Sequence, residues 1–261
     1  MKIGILYIAT GKYTCFWDGF YQSCEKYFFT DQDKHYFVFT DSENIRGQNI
    51  TVIKRKCQGF PADSLFRFEI FLSAKEMLEE MDYVYFFNAN MLLLQPMGKE
   101  FIPQAEHGFL LGAFHPGDAI NHRNFNFFAY ERNPKSLAYI PPWHPPYHYY
   151  MGGLNGGRSR EFLQLSELLA KNIRDDYDRG IIAKFHDESH LNCYFHKHPP
   201  LGLDARYGFP EGWAGAADVK ILIRDKVKVD EYFRKQPPGL MAKLWHGAEK
   251  LFSAVRWYLK F

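Results

Sequence analysis

The first ~90 residues alternate between two periodicities, and that alternation limits the fold more than any other feature of the chain. IGILYIA at residues 3–9 is a short continuous apolar run, the pattern of a strand buried on both faces. Thr10 and Gly11 turn the chain out of it, and YTCFWDGFYQSCEKYF then places apolar residues at helical spacing. HYFVFTD (35–41) and ITVIKRK (50–56) read as further strands, LFRFEIFLSAKEMLEEMD (65–82) as one helix, and YVYFF as a fourth strand. Strand, helix, strand, strand, helix, strand is the order of a Rossmann-like α/β half with a mostly parallel sheet.

The fourth strand ends unusually. In YVYFFNANMLLLQP (83–96) it stops at Asn88, Ala89 and Asn90, then resumes as another apolar segment. The exit of a strand in an open α/β sheet is where ligands bind. Many nucleotide-sugar enzymes carry two aspartates there to hold a divalent metal. This chain keeps the spacing and lacks the charges.

The second half is less regular. FLLGAFH (109–115) reads as a strand, and YIPPWHPPYHYY (139–150), with four prolines in twelve residues, as loop or extended chain. YHYYMGGLNGG (147–157) supplies a strand end and two glycine pairs, which remove side chains where a backbone turns or meets a ligand closely. REFLQLSELLAKNIRDDYDRG (160–180) is the clearest amphipathic helix, and HDESHLNCYFHKH (186–198) begins another. From residue 240 onward the apolar residues form one helical stripe, with Lys243, Lys250, Arg256 and Lys260 against a single Glu249. Two readings of that segment stay open: a basic amphipathic helix on a membrane interface, or a terminal helix packed on its own domain or a partner. The expected organisation is a catalytic domain over 1–237 and this helix over 238–261.

Composition excludes several classes. A net charge of +2 leaves no nucleic-acid footprint. Aromatic residues reach 18%, which suits sugar or base stacking, although most such rings belong in a core. Cys15, Cys24, Cys57 and Cys193 have no CxxC spacing and indicate neither a zinc site nor a disulfide framework. A reducing compartment follows. The start lacks a cleavage-like site and no stretch is a membrane span, so the expectation is a cytoplasmic protein, with peripheral contact to the inner membrane face through the terminal helix.

HDESH packs two histidines and two carboxylates into five positions. His186 and His190 share a helical face, but Asp187 stands where the zinc-protease motif needs glutamate, which argues against metal. Asp187 or Ser189 could cap the helix. Glu188, near the helix N-terminus, could face a cleft and stabilise or attack a cationic sugar carbon. His115 follows a strand directly and could bond a sugar hydroxyl or sit satisfied in the core.

YIATGKY, RFEIF, DYVYFFNANM, FHPGD, AYERNP, AYIP, YYMGGLNGG and FHDESHLNCYF together resemble glycosyltransferase family 6, which contains the histo-blood-group transferases and the α1,3-galactosyltransferases. The match spans roughly residues 3 to 210. It implies a GT-A fold, a UDP-sugar donor and retention of anomeric configuration. Position by position, it implies uracil and ribose contacts at Ile8, Ala9 and Tyr13, a donor-sugar arginine at Arg67, and a sugar-hydroxyl aspartate at Asp187. It also implies a catalytic Glu188, with acceptor contacts at His115 and Phe185; an acceptor aspartate expected after Tyr207 is absent, and Glu211 is its candidate replacement.

Asn88, Ala89 and Asn90 occupy the metal motif, so no metal or other cofactor is implied. Neutral amides can face phosphate directly, and Lys226, Lys228, Arg234 and Lys235 follow the family core as cations for the leaving group. Met151, Gly152 and Gly153 bear on the donor. Glycine at 153 leaves room for an N-acetyl group and points to UDP-GalNAc, whereas Met151 matches a galactose-using relative; the glycine carries more weight because steric exclusion is more direct. The vertebrate members carry an N-terminal anchor, so the chain reads as a bacterial-type member acting on a galactoside, expected to bear α1,2-fucose. A UDP-galactose-using α1,3-galactosyltransferase and a non-catalytic sugar-binding protein are the alternatives.

Overall fold

The computed structural model describes residues 1–117, 129–142, 147–215, 217–234 and 240–259. The expected alternation is there. β1 (Lys2–Ile8) lies between β2 (Asp33–Thr40) and β4 (Tyr83–Phe87), parallel to both, and β3 (Ile50–Lys54) extends the sheet beyond β2. β7 (Tyr150–Arg158) pairs antiparallel with β4 and with β6 (Leu110–Phe114), and β8 (Leu201–Leu203) pairs parallel with β6. The order β3-β2-β1-β4-β7-β6-β8 is that of a mixed α/β GT-A-type sheet. The chain runs outward from β1 through β2 and β3, then returns to β4 on the other side of β1. The carboxyl ends of β1 and β4 therefore flank a topological switch point, where a ligand crevice opens.

Both faces of β1 are buried, as its unbroken apolar run requires. Ile3, Ile5 and Tyr7 join α1 (Trp17–Tyr27), which contributes Trp17, Phe20 and Cys24 at helical spacing. Leu6 faces the other core with α5 (Ser159–Asp178), whose Phe162, Leu165, Leu169 and Ile173 form the packed stripe. The largest fully buried side chains are Trp17, tyrosines and phenylalanines, so the aromatic excess largely serves the core.

Two expectations need correction. Residues 65–82 do not form one helix. They fold as α2 (Ala62–Leu65), α3 (Arg67–Leu72) and α4 (Lys75–Leu78), because the backbone leaves helical geometry at Phe66 and Ala74. Ser73 Oγ donates to the Ile70 carbonyl at 2.6 Å, a local bond that competes with helix continuation. Pieces this short are held by the burial of Leu65, Phe68, Phe71 and Leu78, not by helix propensity. Nor does the second glycine pair mark a turn or a ligand. Gly156 and Gly157 lie within β7, where an added Cβ would stand 2.4 Å from the Val84 carbonyl and 2.3 Å from that of Phe109. The close approach is to the neighbouring strands.

A small sheet completes the site's frame. β5 (Met91–Leu93) pairs antiparallel with β10 (Ile221–Ile223), which pairs parallel with β9 (Phe209–Pro210). It carries the late segment 224–234, which includes the short α7 (Lys226–Val229), back to the exit of β4. The terminal helix, α8 (Leu240–Leu259), docks on the domain through buried Ala254 and Trp257 while Trp245, Leu251, Phe252, Val255 and Leu259 stay exposed. No helix among the described residues is long and apolar enough to cross a membrane.

Candidate active site

The centre of the site is α6 (His186–Lys197), whose first turn carries Asp187 and Glu188. Phe185 is the cap residue and makes no side-chain cap; its N–H donates instead to Ser189 Oγ at 2.9 Å. Adjacent on the helix, the two carboxylates have different fates. Asp187 is buried, with Oδ2 2.7 Å from Arg67 Nη1 at the start of α3. Burial pushes its carboxyl up to about 7, against the pull of the Arg67 guanidinium. Glu188 is half-buried. Its Oε1 accepts from the Tyr149 hydroxyl at 2.6 Å and its Oε2 from the Gly152 N–H at 2.5 Å.

Gly152 joins these groups. Its carbonyl accepts from Arg67 Nη1 at 2.7 Å and from Asn155 Nδ2 at 3.1 Å. A Cβ at 152 would lie 3.2 Å from both Arg67 Nη1 and Glu188 Oε2, so glycine lets the carboxylate and guanidinium meet the strand backbone. Arg67 Nε is buried without a hydrogen-bond partner and gives the site a donor awaiting an acceptor.

The exit of β4 meets the next residue of β7, Gly153. The Asn88 N–H donates to the Gly153 carbonyl at 2.8 Å, and Asn88 Nδ2 donates to Asn90 Oδ1 at 3.3 Å. Asn90 Nδ2 donates to the Arg224 carbonyl at 2.8 Å, and the Arg224 N–H donates to that of Asn90 at 2.8 Å. Ala89 is buried, its carbonyl accepting from the Tyr7 hydroxyl at 2.8 Å. The donor set does not fit a hard divalent cation: Asn88 and Asn90 are neutral amides engaged with each other and with backbone. Gly153 faces this bank, where its Cβ would stand 3.3 Å from Asn88 Cβ and from Met91 Cε. Met151 is buried in the core and seated on Gly208, and it does not share Gly152's position beside Glu188.

The remaining sequence candidates divide. Ile8 and Ala9 close β1, with the Ala9 N–H on the Phe39 carbonyl at 2.9 Å. Tyr13 lies in the 3-10 turn Gly11–Phe16, and Lys226 Nζ donates to its hydroxyl at 2.8 Å. Phe233 meets the same ring edge-on at 5.0 Å, so the 226–233 segment folds back onto Tyr13. Lys228 and Glu211 instead pair with each other at 2.9 Å, which couples a donor candidate to an acceptor candidate. Arg234 is exposed and paired with Glu231 at 2.6 Å. Lys235 lies outside the described residues. His115 Nδ1 accepts from the Gly117 N–H at 3.1 Å, its own N–H donates to the Tyr149 carbonyl at 2.7 Å, and exposed Phe185 stands 6.4 Å from the Tyr149 ring.

His186 and His190 do not converge. His190 is buried, 3.6 Å from Asp176, and burial pushes its imidazole down to about 4; His186 packs edge-on against Phe60. Among the described residues no group of three metal-ligating side chains forms.

Sequence reasoning passed over Tyr149 and Arg224. Tyr149 stands beside the quoted glycines, and only its pairing with a helix ~40 residues away gives it a role. Arg224 reaches Asn90 through the register of β10 on β5, which the sequence does not announce.

A mostly parallel α/β sheet with a topological switch point, and a strand that holds a helix-borne glutamate at Gly152 and the β4 exit at Gly153, define a glycosyltransferase of the GT-A type. The chain belongs to glycosyltransferase family 6, whose model matches residues 1–228. It is 34% identical over 235 residues to the O-antigen biosynthesis glycosyltransferase WbnI of Escherichia coli, covering 89% of this chain and 98% of that protein. It is 32% identical over 208 residues to histo-blood group ABO system transferase 2 of Rattus norvegicus, covering 76% of this chain and 60% of that one. It is 31% identical over 213 residues to globoside alpha-1,3-N-acetylgalactosaminyltransferase 1 of Mus musculus, covering 77% and 58%. The chain thus spans nearly the whole bacterial relative and about three fifths of the mammalian ones. The family implies a nucleotide-sugar donor and a glycan acceptor.

Proposed function

We propose that the protein is a metal-independent, retaining α1,3-N-acetylgalactosaminyltransferase that moves GalNAc from UDP-GalNAc to a galactoside bearing α1,2-fucose. The observation that carries this reading is Glu188, its carboxylate fixed by the Tyr149 hydroxyl and the Gly152 N–H, one residue along β7 from the Gly153 carbonyl that holds Asn88.

The C1–O bond to the diphosphate breaks and its electron pair leaves with UDP, while the acceptor O3 bonds to C1 on the same face and gives its proton to the departing phosphate oxygen. Glu188 on the β face meets the positive charge at C1, either by bonding to it for one step or by electrostatic stabilisation during front-face attack. Arg67 and Asp187 orient the sugar through its hydroxyls. Asn88 and Asn90 meet the diphosphate without the repulsion two carboxylates would bring. Lys226, already on Tyr13, supplies positive charge beside the nucleotide, a role better suited to it than to Lys228 or Arg234 with their own carboxylate partners. Ile8, Ala9 and Tyr13 would hold uridine, and His115, Phe185 and Glu211 the acceptor. Gly153 supports GalNAc over galactose.

The exposed apolar face of α8 supports peripheral contact with an anionic membrane. UDP release with UDP-GalNAc or UDP-galactose, with and without a fucosylated galactoside, tests the transfer reading. Equal or faster turnover of UDP-galactose would overturn the GalNAc assignment, and sugar binding without turnover would make the protein a lectin.

A further inference from the structure

The family match ends at residue 228, yet the terminal helix reaches the reacting carboxylate through a continuous set of contacts. Trp257 is buried, and its Nε1 donates to the Ile140 carbonyl at 2.7 Å, which fixes the indole against the 129–142 segment. Its ring meets Tyr130 at 6.4 Å between centroids, and Arg132 lies over its face at 5.2 Å. Tyr130, fully buried, donates its hydroxyl to the His148 carbonyl at 2.6 Å and packs on the Tyr149 ring at 6.0 Å. Tyr149 donates to Glu188. A second route runs through the backbone beside Tyr130. Buried Glu131 accepts from the Lys184 N–H at 2.6 Å, one residue before the cap of α6.

We propose that Trp257 is a positioning residue for Glu188: it fixes Tyr130 and so holds the Tyr149 hydroxyl on the Glu188 carboxylate. The inference rests on the transferase reading. The physics is that of a packed aromatic lever. Tyr149 can direct its hydroxyl at Oε1 only while its ring is held, and the ring is held by Tyr130 on the side that Trp257 closes. Removing the indole leaves a cavity into which Tyr130 and Tyr149 relax. The carboxylate then loses one of its two fixed donors, and the geometry at C1 loosens without touching the nucleotide subsite. A change confined to the chemical step lowers kcat and leaves donor KM alone. The helix beyond the family core is on this account part of the catalytic scaffold through one face, whatever its exposed face does.

The test is steady-state kinetics on the full-length protein for Trp257→Leu, Tyr149→Phe, the double variant and Trp257→Phe. Calorimetric UDP-GalNAc binding counts the folded sites in each. Tyr149→Phe should lower kcat about 10-fold and Trp257→Leu about 5-fold per folded site, with donor KM within about twofold. The double variant should be no slower than Tyr149→Phe alone, because both act on one contact. Trp257→Phe, which keeps an aromatic wall, should recover most of the rate. Multiplied effects in the double variant, about 50-fold in all, would mean the helix acts by another route and overturn the proposal. An unchanged kcat per folded site in both Trp257 variants would overturn it too. If Leu at 257 prevents folding, Trp257→Met, which fills more of the cavity but removes the aromatic wall, and its double with Tyr149→Phe decide by the same comparison. A wild-type protein that turns over no nucleotide sugar overturns the transferase reading instead, which separates the two failures.

Discussion

The two banks of the site, one on Gly152 and one on Gly153 of β7, are built on opposite electrostatic plans. On the α6 bank, Glu188 and Arg67 bond the Gly152 backbone, Asp187 pairs with Arg67, and the Tyr149 hydroxyl donates to Glu188. On the β4 bank, Asn88 and Asn90 bond each other and the backbone of Arg224, with no charge at either position. A buried charge is tolerable only with partners, and the first bank supplies them from α3, β7 and Tyr149 just ahead of β7. The second bank needs none, because an amide is satisfied by one donor and one acceptor close by. A cleft that put carboxylates on both banks would need a cation to admit a diphosphate. On the proposed mechanism, this one keeps negative charge where positive charge develops.

The largest effect expected follows from the charged bank. Glu188→Gln preserves shape and hydrogen-bonding reach but removes the charge, a loss commonly worth ~3 kcal/mol or more in a transition state. Transfer should fall by at least about 100-fold while UDP-GalNAc binding, measured by calorimetry, holds. Near-normal turnover in this variant would take Glu188 out of the chemistry and with it the contrast between the banks.

Next in size is the guanidinium. Arg67→Met leaves Asp187 to take up a proton in place of its cation and removes the charged donor from the Gly152 carbonyl, a loss of about 2 kcal/mol. A lower thermal midpoint and a raised donor KM are expected together, since the same side chain also supports Gly152. A variant with native stability would show that the pair contributes nothing to the fold.

The amide bank is tested by restoring the charges. Wild-type activity should be full in excess EDTA and unmoved by Mn²⁺, whereas Asn88→Asp with Asn90→Asp should lose about 10-fold without metal and regain it with Mn²⁺. Wild-type silence in EDTA with rescue by Mn²⁺ would erase the difference between the banks.

The banks also differ in how far the sequence disclosed them. The sheet was legible because buried parallel strands must read as continuous apolar runs, and the YVYFF exit located the β4 bank directly. HDESH marked the other bank, since two adjacent carboxylates before a helix are conspicuous. The wiring was not legible. Arg67 meets Asp187 across 120 positions of sequence, and nothing local to either residue names the other. The breaks at Phe66 and Ala74 that start α3 at Arg67 were hidden by a pattern that reads as one helix. The glycine pairs look alike in sequence, yet one clears the site and the other clears strands β4 and β6.

A smaller effect separates the two faces of α8. Trp245→Ser with Phe252→Ser changes only exposed positions, so turnover in solution should stay within about twofold while binding to anionic vesicles falls. Unaltered vesicle binding would leave that face without a lipid role. A large loss of turnover would mean that the exposed face also supports the site.

The smallest effect is on stability against pH, and of the two banks only α6 contributes to it, because the amides of the other bank do not titrate. Asp187, ordinarily near 3.8, is pushed to about 7 in the fold, so between those values the native protein holds more proton than the unfolded chain. Stability from this group therefore falls as pH rises through that window. His190, ordinarily 6.5, is pushed to about 4, so there the unfolded chain holds more proton and stability falls as pH drops. The two slopes have opposite sign where the windows overlap. Wild-type urea midpoints should change little from about pH 4.5 to 6.5. His190→Gln removes one slope and should expose the other, with stability declining as pH climbs from about 4.5 toward 7. A variant whose midpoint instead rises over that range would mean that Asp187 is charged throughout, with Arg67 outweighing its burial.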